Sequence, residues 1–110
     1  MTDAGAHDEA EELERARAVY VKARDALLQG SHEEALAGFE AVLPVLERLG
    51  TEIEAAHCHE NRSFTLSRLG HHGEGLADFG AALAVYERLG EEIEAADCHN
   101  LHAWVRPVGL

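Results

Sequence analysis

Glu47-Arg-Leu-Gly-Thr-Glu-Ile-Glu-Ala-Ala-His-Cys-His59 decides the fold, because it returns forty residues later as Glu87-Arg-Leu-Gly-Glu-Glu-Ile-Glu-Ala-Ala-Asp-Cys-His99. Only Thr51/Glu91 and His57/Asp97 differ between the copies. The copying extends upstream, where His32, Glu34, Leu36, Ala37, Phe39, Ala41 and Leu43 match His72, Glu74, Leu76, Ala77, Phe79, Ala81 and Leu83. A period of roughly 20–50 residues marks an array of small supersecondary units, each burying its apolar face on its neighbour.

Glycines divide the array. Gly30, Gly50, Gly70 and Gly90 stand every twenty residues, and each is expected to end a helix by taking the left-handed conformation. Ser31 with Glu34, and Thr51 with Glu54, have the spacing of capping boxes that open the next helix. Between these marks the apolar residues recur at helical spacing. Leu13, Ala16, Val19/Tyr20, Ala23 and Leu27 form one stripe; Ala35, Leu36, Phe39, Val42, Leu43 and Leu46 form the next. Five helices are therefore expected, over about 9–29, 32–49, 51–69, 72–89 and 91–105. Pro44 should kink the second. Gly73, Gly75 and Gly80 should weaken the fourth while letting a neighbour approach. Residues 1–7 read as a disordered tail, 8–106 as a single helical domain and 107–110 as a C-terminal tail. The expected fold is all-α, a stack of antiparallel helical hairpins.

Composition narrows the function. Acids outnumber bases 21 to 9, for a formal charge of −12, which repels phosphate backbones and anionic lipid. No nucleic-acid or membrane partner is expected. Met1–Asp8 carries no basic segment followed by an apolar run, so no secretory signal is read there. The two cysteines, Cys58 and Cys98, occupy equivalent repeat positions and suit reduced thiols in a cytoplasm. One lysine against eight arginines, with abundant alanine and glycine, points to a high-GC bacterial genome.

Gly30-Ser-His-Glu-Glu-Ala-Leu-Ala-Gly-Phe39, with its turn glycine and the Ala35/Phe39 spacing repeated at Gly75/Phe79, resembles the tetratricopeptide repeat (TPR) family. The Leu49-Gly50 and Leu89-Gly90 turns resemble its long-helix variant. The resemblance covers about 13–105 and implies a TPR-like α-solenoid of about two and a half repeats. It also implies a protein-interaction scaffold whose concave face is lined by the first helix of each pair, here 9–29, 51–69 and 91–105. That groove would hold Arg17, Tyr20, Val21, Arg24, His57, Glu60, Asn61, Phe64, Arg68, Asp97, Asn100 and Trp104. Aromatics and arginines of this kind dominate interface energetics. Asn61-Arg-Ser63 is similar to the motif with which some family members clamp an acidic chaperone tail. Tyr20, Arg24, Asp97 and Leu101 depart from that clamp, and Asp97 would repel a carboxylate. Asn61 is kept as a contact to a peptide backbone.

Other chemistries are weaker. His59 and His99 fall where the family places an aromatic inside the hairpin, with Arg62 and His102 nearby. Imidazole bonded across the helix pair is the simpler reading. Cys58, His59, Cys98 and His99 are metal candidates by residue type, but adjacent helical residues point about 100° apart. No metal or other cofactor is expected. No phosphate loop, HExxH or nucleophile elbow occurs, and most glutamates crowd first helical turns. Leu101, Trp104, Val105, Val108 and Leu110 form an apolar end that suits self-association, a homodimer included. The expectation is a non-catalytic protein- or peptide-binding adaptor, its acidic balance favouring a partner with a basic segment. A small-molecule or metal-binding accessory using the His/Cys/aromatic lining is the alternative. An enzyme with Cys58 or Cys98 as nucleophile ranks last.

Overall fold

The computed structural model describes residues 3–92, 94 and 95. Among these the chain is all-α, with α1 (Asp3–Leu28), α2 (His32–Leu49), α3 (Glu52–Arg68) and α4 (His72–Leu89). Four helices are present where five were expected. The fifth, over about 91–105, falls almost wholly outside the described residues. One helical bond, from Ala95 N–H to the Glu91 carbonyl (2.9 Å), lies within them. Helix α1 starts at Asp3, five residues before the expected Asp8, in the segment read as a disordered tail.

Consecutive helices pack against each other, α1 on α2, α2 on α3 and α3 on α4, while α1 also touches α3. The first hairpin is α1–α2 and the second is α3–α4. One core gathers Ala16, Ala23, Ala26, Ala35, Phe39, Val42, Leu43, Leu46 and Cys58. Phe39 and Ala35 are fully buried there; burying a phenylalanine contributes about 1.5–3 kcal/mol. A second core gathers Ala56, Phe79, Ala82 and Tyr86. Helix α2 continues through Pro44, which lies on its exposed side.

The turns are of two kinds. Gly30, Gly70 and Gly90 have φ between 73° and 88°. The following residue closes a six-residue bond back into the helix: Ser31 N–H to Ala26 O, His71 to Leu66 O and Glu91 to Tyr86 O, each 2.8 Å. This is the Schellman arrangement. Gly50 departs from the expected pattern, with φ −88° and extended backbone. A Cβ there would stand 2.9 Å from the Leu46 carbonyl and 3.1 Å from Glu54 Oε1, so close approach is what requires glycine.

This difference decides the caps. Ser31 makes no side-chain cap bond, because its own N–H is already taken by the Schellman bond to Ala26. Thr51 follows an extended glycine and its N–H is open. Glu54 Oε1 accepts from it at 2.9 Å, and Thr51 Oγ1 accepts from Glu54 N–H at 3.1 Å. The Thr51–Glu54 capping box therefore forms and the Ser31–Glu34 box does not.

The close-approach glycine is also not where the sequence suggested. A Cβ on Gly73 or Gly80 would meet nothing within 4 Å. On Gly38 it would stand 2.7 Å from Ala23 Cβ. The tight seam is thus in the first hairpin, between α1 and α2.

Candidate functional site

Helices α1 and α3 run in the same direction, since Arg17 meets Glu54 and Tyr20 meets Asn61. Glu54 joins two tasks. The carboxylate that caps α3 also accepts Arg17 Nε at 2.6 Å and Arg17 Nη2 at 2.9 Å. This two-pronged bond holds the Glu54 carboxyl well below its ordinary range, at about 2. One turn further along, Asn61 Nδ2 donates to Tyr20 Oη at 2.7 Å and to its own helix at His57 O, 2.9 Å. Both amide hydrogens are spent there, which leaves Asn61 no donor for the peptide backbone it was expected to contact. Burial pushes the Tyr20 phenol up to about 12, so it stays protonated.

Arg17, Tyr20, Leu46, Glu54 and His57 enclose a cavity of about 60 Å³. Small-molecule sites are typically about 300–1,000 Å³. The His57 ring lies 5.8 Å from that of Tyr86, whose hydroxyl donates to Glu60 Oε1 at 3.0 Å. Beyond the cavity, Arg24 lies over the Tyr20 ring at 6.0 Å and Arg68 over the Phe64 ring at 4.9 Å. Arg17, Tyr20, Arg24, His57, Glu60, Asn61, Phe64 and Arg68 are thus placed on or beside the α1–α3 seam. Asp97, Asn100 and Trp104, expected on the same groove, lie outside the described residues. So do Leu101, Val105, Val108 and Leu110 of the expected self-association surface, and the metal candidates Cys98 and His99.

The other two metal candidates are engaged elsewhere. Cys58 is fully buried, its Sγ–H directed at Phe39 O (3.6 Å), and burial pushes its thiol up to about 12. Thiolate, the nucleophilic and metal-ligating form, is therefore scarce at neutral pH. His59 Nδ1 lies 2.7 Å from Asp78 Oδ1, bonding across the hairpin, and its Nε2 lies 3.7 Å from Glu47 Oε2. Among the described residues no group of three or more His, Cys, Asp or Glu side chains has metal-binding geometry.

Asp78 is the residue that sequence reasoning missed. It is 4% exposed and takes Arg62 Nε on Oδ2 at 2.7 Å as well as His59 on Oδ1. Burial alone would raise its carboxyl; the two bonds outweigh that and hold it below the ordinary value. The signal was in the repeat. Forty positions earlier, Val19, Lys22 and Gly38 stand where His59, Arg62 and Asp78 stand, so three mismatches mark one network.

Compared with known proteins, the chain matches no protein-family model, no curated protein and no solved structure.

Proposed function

We propose that this chain is a non-catalytic adaptor, a TPR-like helical array that binds a protein or peptide segment along its α1–α3 face in the cytoplasm. The observation that carries the reading is the Tyr20–Asn61 bond. It brings an Arg24/Tyr20 pair on one helix beside a Phe64/Arg68 pair on the other. Arginine and aromatic side chains gathered on one face are the composition of interface anchors. The hairpin order and the turn glycines agree with the TPR resemblance. No described helix is long and apolar enough to cross a membrane.

A small-molecule or metal-binding accessory has less behind it. The 60 Å³ cavity is small, Cys58 is held as a buried thiol, and His59 is committed to Asp78.

The test is affinity capture with the full chain, compared with Phe64→Ala and with Arg15→Ala on the far side of α1. A partner recovered by wild type and by Arg15→Ala, but lost with Phe64→Ala, supports the reading. A partner retained equally by all three would place binding elsewhere.

A further inference from the structure

In a chain with so many carboxylates, an arginine without one stands out. Arg15, Arg17, Arg48, Arg62 and Arg88 are each within ion-pair distance of a carboxylate. Among the described residues Lys22, Arg24 and Arg68 are not. Lys22 is exposed on α1 and touches no ring. Arg24 and Arg68 are both exposed and both lie over aromatic faces on the α1–α3 seam.

Stacking uses the flat face of a guanidinium and leaves its edge free. The N–H donors point outward in the plane of the fork, in the geometry that receives a carboxylate. The ring also fixes the side chain in advance, so less conformational freedom is lost when a ligand arrives. Arg24 lies four residues beyond Tyr20, and Arg68 seven beyond Asn61. At a rise of about 1.5 Å per residue and helix spacing of about 8–10 Å, their Cα atoms are about 10 Å apart. Two acidic side chains at alternate positions of an extended peptide, about 7 Å apart, are within reach of both.

We propose that the α1–α3 face receives an acidic stretch of the partner, its carboxylates seated on the edges of Arg24 and Arg68. This rests on the adaptor reading and reverses the basic segment that net charge alone suggested. The reversal follows from range. Charges farther off than the Debye length of about 8 Å are largely screened, whereas two preset guanidiniums act at contact. The chaperone-tail clamp is a different arrangement, since Asn61 has no amide hydrogen left to offer.

Fluorescence anisotropy with two dye-labelled peptides tests it. Both have the same Ser/Leu background, one with glutamates and the other with lysines at the same places. The glutamate peptide should bind the full chain. Arg24→Gln/Arg68→Gln should weaken it by about tenfold or more, and Arg15→Gln/Lys22→Gln, with the same charge change, should not. Helicity by circular dichroism checks that each variant folds. Failure of the glutamate peptide to bind, or equal loss in both double variants, overturns the proposal. If the lysine peptide binds instead and Phe64→Ala weakens it, the acidic-partner inference is wrong while the adaptor reading stands.

Discussion

His59 Nδ1 lies 2.7 Å from Asp78 Oδ1, a polar bond between α3 and α4 at the place where the first hairpin sets Val19 beside Gly38. Two hairpins with nearly the same sequence are therefore held by opposite means. One closes on a missing Cβ, the other on a buried carboxylate shared by His59 and Arg62.

Breaking a buried ion pair by removing one partner costs about 3–5 kcal/mol, because the other is stranded. His59 and Arg62 keep 18% and 27% of their side chains exposed, so Asp78→Gly should fall near the low end of that range. The triple variant His59→Val/Arg62→Lys/Asp78→Gly installs the residues of the first hairpin and strands nothing. It should be more stable than Asp78→Gly alone by about 1–2 kcal/mol in urea unfolding. Equal stability of the two would show that the stranded groups carry no penalty.

Thr51→Ala should cost about 1 kcal/mol, the ordinary worth of an N-cap. Ser31→Ala should cost close to nothing, although both residues head a box-like sequence. Urea midpoints of the two variants make the comparison. An equal loss at both positions would contradict the explanation that the Schellman bond at Ser31 has already taken the donor a box would use.

Much of the fold was legible because its signals are local. Turn glycines and periodic apolar residues located α2 to α4 to within a residue or so, and Ala35, Phe39, Val42, Leu43 and Leu46 are buried as their spacing implied. What escaped depends on contacts between distant residues. Asp78 sits in a glycine-rich helix and looks like surface charge until α3 supplies His59 and Arg62. Gly50 looks like its three counterparts until Leu46 and Glu54 crowd it. His32 and His72 are repeat mates, yet His72 Nδ1 has Ser67 Oγ at 3.3 Å while His32 Nδ1 is buried without a partner. The residue matching Ser67 in the first hairpin is Leu27, which has no polar atom to offer. In each case the copies diverge where the tertiary contact differs.

Glycine substitutions separate seam from surface. Gly38→Ala puts a methyl 2.7 Å from Ala23 Cβ, and two short, rigid side chains cannot swing apart. Overpacking of this kind costs about 1–3 kcal/mol, more than helix propensity returns. Gly80→Ala meets open space and should stabilise by about 0.5–1 kcal/mol. Thermal melting should move the two midpoints in opposite directions; a shift of the same sign in both would place the seam elsewhere.

Acid should unfold this chain through particular carboxylates. Glu54 falls from its model value of 4.5 to about 2 in the fold, held chiefly by Arg17, and Asp78 is also depressed, by His59 and Arg62 against the pull of burial. A carboxyl with a depressed folded pKa binds protons more readily when unfolded. Its stabilisation is complete above the unfolded pKa and drains away as pH falls through the folded one. For Glu54 that window runs from about 4.5 down to about 2. Glu54→Gln keeps the shape and can still accept from Thr51 N–H, but no longer titrates. Its melting temperature should lie below wild type near neutral pH and converge on it toward pH 2. Arg17→Gln should converge over the same window, because the shift depends on that guanidinium. A difference from wild type that stays constant down to the acid limit would show that the Arg17–Glu54 contact contributes as packing alone.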